Sequence, residues 1–351
     1  MKNSVLFPVI GLFSVIFASC GKDGETSSED NSETPVEIGE PPVINCGNDG
    51  RTSFKIDGLT FDNYPKVDGS TSTQPLNMLI ACRLLGVCCD WEPGGRWGFI
   101  LPWEFWLKPN PEDIPASDPD FFTEHVKVSQ THGAFMNLID KNADLIMTHR
   151  TLSPDEKAHA DEAGVRLIET PVALDAFVFV VNKDNPVKSL TTARIQDIYT
   201  GTITNWNRAG GKDEKMYPFV RPRNSGSQEV MESLVMNGKE ISDEFKNQAS
   251  EIVSMAGVFA EMRSPGAICY TFDYYKRVMV RVTDGEVPRI CVNGIFPSEK
   301  SIKSRTYPFV SEVHVAIRAG QDKNSMTYKL YELLTSDTAK PVIAESGYIP
   351  N

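Results

Sequence analysis

The chain has 351 residues, 40% of them hydrophobic, and carries 35 Lys and Arg against 47 Asp and Glu, a formal net charge of −12 at pH 7. That length allows two domains with cores of their own, and the acidic balance argues against a nucleic-acid binder, which needs a basic face to displace phosphate counterions. It leaves room for an anion site, because surface charge is screened beyond ~8 Å at physiological ionic strength whereas neutral N–H groups act at contact distance.

Residues 1–20 read as an export signal: Lys2 is a short positive region, 5–17 are almost wholly apolar, and Phe17-Ala18-Ser19-Cys20 places small residues before a cysteine. The run is short for a membrane-spanning helix, which needs ~20 residues, so cleavage is expected. The arrangement resembles a lipoprotein signal, with Cys20 lipidated as the mature N-terminus; a plain secretory signal is the alternative, since Phe17 replaces the usual aliphatic residue. Residues 21–54 are expected to be an acidic flexible tether, with Asp23, Glu25, Glu29, Asp30, Glu33, Glu37 and Glu40 and few large apolar side chains to offset its ordering entropy. No later segment has the length and apolarity to cross a bilayer, so the expected localisation is that of an exported, membrane-anchored protein facing the periplasm or cell surface.

Further along, Asp68-Gly69-Ser70-Thr71-Ser72-Thr73 is a hydroxyl-rich turn leading into a helix predicted over 74–81, with Pro75 in its first turn. Trp91, Trp97, Trp103 and Trp106 lie in a Gly- and Pro-punctuated stretch, 90–119, that reads as an elaborated loop packing its own aromatics or as an aromatic platform for a sugar or partner. Ser129-Gln130-Thr131-His132-Gly133 opens a second predicted helix over 134–139. The run 172–182 (VALDAFVFVVN) predicts a buried strand, and 190–199 an amphipathic helix closed by Gly201. Arg221-Pro222-Arg223-Asn224-Ser225-Gly226-Ser227 then precedes a helix predicted over 228–236, with Val230, Met231, Leu234 and Val235 on its apolar stripe. A further strand is predicted over 267–272.

Backbone N–H groups at a helix start lack intrahelical partners and sit at the positive end of the dipole, so hydroxyls and amides there cradle anions. An arginine adds a planar fork for phosphate or carboxylate oxygens. Each opening alone is also explained as a plain N-cap. Together, Ser70, Thr71, Ser72, Thr131, Arg221, Ser225, Gly226 and Ser227 are the candidate ligand-binding residues, for a small oxyanion held without metal or cofactor.

Six cysteines follow Cys20: Cys46, Cys82, Cys88, Cys89, Cys269 and Cys291. In an exported chain they suggest disulfides. Cys269 and Cys291 flank Thr283-Asp284-Gly285, a predicted hairpin turn that would bring their sulfurs together. A metal site at Cys82, Cys88 and Cys89 lacks CxxC pairs or clustered histidines, which favours disulfide or buried thiol there. A hydrolase is the rival class, with Ser70, Ser72 or Ser225 as nucleophile, His132 or His149 as base and Asp68 or Asp144 as orienting acid, but no G-x-S-x-G elbow is present.

Residues 64–72 (YPKVDGSTS), 190–211 (LTTARIQDIYTGTITNWNRAGG), 224–228 (NSGSQ), 264–275 (SPGAICYTFDYY) and 346–350 (SGYIP) make the chain beyond residue 60 resemble the substrate-binding proteins of phosphate ABC transporters, the PstS-like family of type II periplasmic binding proteins. The resemblance implies an α/β fold of two lobes joined by two crossover strands, with the ligand in the cleft between them. Lobe one would comprise 55–180 and 267–351, and lobe two 181–266. It implies capture of a small oxyanion, phosphate above all, for an ABC permease by a monomeric, non-enzymatic protein; a surface lipoprotein using the same fold for sensing or adhesion is the alternative. Family members place an aspartate in the cleft to accept a proton from phosphate, and the resemblance puts His149 in its place. His149 is therefore a further candidate ligand contact.

Overall fold

The structure, a computed structural model, describes residues 41–46, 53–94, 101–248, 262 and 264–351, and only the backbone of 94, 101–103 and 248. Cys20 with its signal, residues 21–40 of the expected tether, Trp97 and the Trp103 side chain lie outside the described residues.

One mixed sheet organises the chain. Its strands are β1 (Val67–Gly69), β4 (Leu145–Thr148), β10 (Val310–Arg318), β5 (Leu167–Val181), β8 (Ala267–Phe272) and β7 (Tyr217–Pro218) in that spatial order, with β11 (Ile349–Pro350) added to β5. The outer pairs β1–β4 and β7–β8 are parallel, and the inner ones antiparallel. The predicted strand over 172–182 is the second half of β5. Its nearly unbroken apolar run is buried from Val172 to Val181, which suits a strand covered on both faces. Residues 167–176 pair with β10, while 177–181 pair with β8, so this one strand reaches across the sheet's two halves. A register shift between Val313 and His314 lets β10 bend along it.

Helices α1 (Gln74–Leu85), α2 (Phe121–His125), α3 (Gln130–Ile139), α4 (Pro154–Glu162), α5 (Thr192–Tyr199) and α6 (Gly226–Val230) connect these strands. α5 fulfils the amphipathic expectation: Ile195, Ile198 and Tyr199 are buried, Thr191 caps its start, and Gly201 follows at φ 81°. Beyond α6 the helix differs from its prediction. Residues Met231–Met236 widen into a π-turn, and Leu234 is left exposed while Val230, Met231 and Val235 stay buried.

The tryptophan-rich stretch is a hairpin of β2 (Cys89–Gly94) and β3 (Leu101–Pro109), packed on α1 and on residues 275–280. Gln74, at the start of α1, clamps it with both amide atoms: Nε2 donates to Leu107 O at 2.6 Å and Leu107 N donates to Oε1 at 3.2 Å. Trp91 Nε1 donates to Pro42 O at 3.0 Å, so this indole is spent on internal packing.

Cys82 and Cys89 form a disulfide that ties α1 to β2. The expected Cys269–Cys291 pairing is overturned, because Cys269 is a free thiol whose burial pushes its pKa up to about 12. Residues 275–280, directly after β8, are helical. The turn does form, with Thr283 O accepting from Glu286 N at 3.2 Å and Val287 N at 3.0 Å, but it joins no hairpin, and its Asp284 also pairs with Arg289 and Lys276. Cys291 lies on β9 (Cys291–Val292), which pairs with β6 (Ser189–Leu190) in a separate sheet. That pairing joins residues past 267 to the segment beginning at 181.

Candidate functional site

The loops after β1 and before α3 and α6 come together at one end of the sheet. Asp68, fully buried at the end of β1, is the pivot. Its Oδ1 accepts from Gly69 N at 2.7 Å and Ser129 N at 2.8 Å, and its Oδ2 accepts from Asn137 Nδ2 at 2.7 Å, which locks the opening of α3 against that of α1. Gly69 leaves space for the turn: a Cβ there would lie 2.6 Å from Asn77 Nδ2 and 2.8 Å from Met147 O. α6 approaches from the other side, where a Cβ on Gly226 would overlap Thr131 Oγ1. Glycine at 226 is thus what allows two of the predicted openings to touch.

Two of these openings have no side-chain cap. Neither Thr73 before α1 nor Ser129 before α3 makes an N-cap hydrogen bond with its side chain. Thr73 Oγ1 instead donates to Met147 O at 2.9 Å and Ser70 O at 3.1 Å, and Ser129 Oγ accepts from Asn137 Nδ2 at 3.1 Å. At α1 few first-turn donors remain, because Pro75 has no N–H and Gln74 N donates to Thr71 O at 3.3 Å; the first-turn N–H groups of α3 are the kind of donor that an oxyanion satisfies. α6 is capped by Ser225, whose Oγ accepts from Gln228 N at 3.3 Å. Gln130 and Asn224, one residue before Thr131 and Ser225, both adopt left-handed φ of 66°. For non-glycine residues that conformation is costly and gathers at functional loops.

Ser70, Ser72, Thr131, Arg221 and Ser227 are all buried. Arg221 N donates to Gln228 Oε1 at 2.9 Å and to Tyr270 Oη at 3.0 Å, and Tyr270 in turn donates to the same Gln228 oxygen. Burial lowers the pKa of the Arg221 guanidinium, offset by the neighbouring Tyr270, Cys269 and Tyr275; arginine remains a cation throughout. Thr71 and Ser225 are partly exposed.

His149 stands behind this cluster rather than at its front. Its Nδ1 is 3.0 Å from Ser72 Oγ, and its Nε2 is 3.1 Å from both Asp175 Oδ2 and Tyr348 Oη. Phe272 stacks on the ring at 4.1 Å. Both nitrogens are engaged within the protein.

Of the rival hydrolase constellation, Ser72 and His149 do meet, at 3.0 Å, but the two expected acids are engaged elsewhere. Asp68 is spent on Ser129, Gly69 and Asn137, and Asp144 accepts from Lys66 N at 3.0 Å and Arg318 Nη2 at 3.2 Å. His132 Nδ1 pairs with Glu156 Oε1 at 2.9 Å. Sequence reasoning missed that buried partner and Arg150, which grips both Glu156 oxygens at 2.6 and 2.8 Å. Burial would raise the Glu156 carboxyl, but Arg150, the Ser153 amide and His132 together hold it below its ordinary value. Sequence reasoning also missed Asp175, although it is the one ionisable residue in the apolar run of 172–181. Among the described residues no cluster of three or more His, Cys, Asp or Glu is arranged to hold a metal ion, and no helix is long and apolar enough to cross a membrane.

The sequence pattern of the PBP superfamily domain matches residues 115–339. Among curated proteins, the phosphate-binding protein PstS of Bacillus subtilis is 29% identical over 52% of this chain and 58% of its own length. Protein SphX of Synechococcus elongatus is 24% identical over 64% of this chain and 68% of its own. Among solved structures, a phosphate ABC transporter substrate-binding protein with bound phosphate from Clostridium perfringens superposes with a TM-score of 0.55 at 20% identity, covering 81% of this chain and 98% of that one. An ABC-type phosphate transport receptor from Vibrio cholerae gives a TM-score of 0.53 at 23% identity, covering 83% and 99%. These two likenesses show a shared α/β fold of the type II periplasmic binding kind.

Proposed function

Because this chain belongs to the PBP superfamily, we propose that it is a solute-binding protein which captures a small oxyanion, phosphate above all, for an ABC importer. The observation that carries the reading is the meeting of two uncapped helix openings, those of α1 and α3, with the Arg221–Ser227 loop at Gly226 and Thr131. Such a cradle satisfies several oxyanion oxygens with neutral donors and one arginine, which leaves the acidic surface elsewhere irrelevant to affinity. The names of the curated relatives support phosphate as the ligand.

In this reading β5 and β8 are the two crossover strands, one lobe gathers around β1, β4 and β10, and the other around α5, α6 and β7, with β9 joining the latter through β6. Binding draws the lobes together by hinge closure. Exposed Arg223 reaches Asp155 at 3.0 Å across the two sides, a contact worth about 0–1 kcal/mol that guides closure more than it drives it. Cys20 is lipidated and anchors the monomer to a membrane through residues 21–54, and the protein turns over no substrate.

Titration calorimetry of the full chain against phosphate, sulfate, phosphate esters and small carboxylates tests the assignment. Saturable one-to-one phosphate binding supports it. Heat from none of these anions, or turnover of a chromogenic phosphomonoester, removes it.

A further inference from the structure

Resting on the anion-binding reading, we propose that Asp175, His149 and Ser72 form a tautomer relay that makes the Ser72 hydroxyl a hydrogen-bond acceptor toward the bound anion. The site would thereby select oxyanions that carry a proton, hydrogen phosphate over sulfate.

The direction of every hydrogen in the chain follows from its neighbours. Tyr348 is buried, which pushes its phenol well above its ordinary pKa, and its O–H donates to Ser72 O at 2.8 Å. Its oxygen can therefore only accept from His149 Nε2, and so can the carboxylate Oδ2 of Asp175, each 3.1 Å away. With two acceptors in front of it, Nε2 carries the hydrogen. In the neutral imidazole Nδ1 is then a bare lone pair 3.0 Å from Ser72 Oγ, and the donor facing it among the described residues is the Ser72 hydroxyl. The ring cannot turn over to escape this pattern, because it is 2% exposed and stacked on Phe272. Asp175 is fixed too: its Oδ1 accepts from Ala176 N at 2.7 Å and Tyr274 N at 3.0 Å.

Ser72 thus has its hydrogen pointing away from the ligand and its lone pairs free to accept. Ser70 Oγ, 3.3 Å from Ser72 Oγ, also has Thr73 Oγ1 at 3.1 Å as an acceptor, since the Thr73 hydrogen goes to Met147 O and Ser70 O. A P–O–H group supplies the hydrogen that Ser72 lacks. Sulfate at neutral pH has none, so oxygen would face oxygen in a buried site where an unmet contact is costly.

Asp175→Asn reverses the relay while keeping its shape. The amide oxygen can replace Oδ1, and the NH2 in the Oδ2 position forces Nε2 to accept; the ring hydrogen moves to Nδ1, and Ser72 turns its hydrogen toward the anion. Ser72→Ala removes the acceptor and leaves the rest of the network standing.

Calorimetry of the full chain with inorganic phosphate and with sulfate at neutral pH, for the parent and both variants, reads the ratio of affinities. The expected result is a parent that prefers phosphate, with the ratio falling roughly tenfold or more in each variant. In Asp175→Asn the fall should come from tighter sulfate, and the 15N shifts of His149 should show the ring hydrogen moving from Nε2 to Nδ1. A parent that binds phosphate while both variants keep its ratio overturns the relay and leaves the binding site standing. A parent that binds neither anion removes the relay together with the binding assignment. Should Asp175→Asn fail to fold, an unchanged ratio in Ser72→Ala is sufficient to overturn the proposal.

Discussion

Replacing Gly226 by alanine tests whether the α3 and α6 openings close on the ligand. The new Cβ would overlap Thr131 Oγ1 and lie 3.1 Å from Thr131 Cβ and 3.5 Å from Cγ2, so the two helices must separate by a fraction of an ångström or more to admit it. Gly226 is not among the residues with left-handed φ, so alanine adds no backbone strain and the cost is steric alone. Overpacking of this kind costs typically 1–3 kcal/mol, which corresponds to a loss of phosphate affinity between about 5-fold and 150-fold if closure accompanies binding. Calorimetry of Gly226→Ala, Thr131→Ala and the double variant separates this clash from other effects. Thr131→Ala deletes the overlapping oxygen, so Gly226→Ala should cost less in that background than in the parent, a coupling that a double-mutant cycle reads directly. Equal losses in both backgrounds, or parental affinity in Gly226→Ala, would refute the idea that these loops meet around the anion.

Arg221→Ala should weaken phosphate binding by roughly 1.5–3 kcal/mol through loss of a charge-assisted partner, and calorimetry showing undiminished affinity would place the cradle elsewhere. Replacing Cys82 and Cys89 together by serine opens a loop closed at a sequence separation of 7; on the chain-entropy account this lowers unfolding free energy by about 2–3 kcal/mol, measured by urea denaturation. Asp284 is held at a pKa of about 2, where burial works against it and Arg289 and Lys276 outweigh burial. A depressed carboxylate contributes stability that is present above its unfolded value near 3.8 and lost as pH falls toward about 2, worth on the order of 2 kcal/mol. Denaturation across that window should show a shallower acid loss in Asp284→Asn than in the parent. Mass spectrometry of the mature N-terminus should find a lipidated Cys20, and an unmodified peptide running through Ala18-Ser19-Cys20 would rule the anchor out.

How far the sequence reaches into this molecule depends on how local each signal is. The strand over 172–182, helix α5 and the three helix openings were legible because periodicity, Pro75, Gly201 and runs of hydroxyls all act within a few residues of one another. Leu234 was misplaced because a π-turn changes the period from within, and nothing in Gln228–Met236 announces it. The turn expected around 283–285 forms, but its hairpin fails for a non-local reason: residues 275–280 before it are helical, and β8 and β9 pair with β5 and β6 instead of with each other. The relay is the extreme case. Ser72 lies before α1, His149 just after β4, Asp175 on β5 and Tyr348 before β11, and it takes the pairing of β1 with β4, of β4 with β10, and of β5 with β10 and β11 to bring them together. Its one sequence trace is a lone aspartate inside an apolar strand. Burying a carboxylate without a partner is costly enough that such a residue implies one elsewhere in the chain. Seen that way, Asp175 was a request for a donor, and the structure answers it with the Ala176 and Tyr274 amides and the His149 ring. The same requirement orients the ring on which the proposed relay rests.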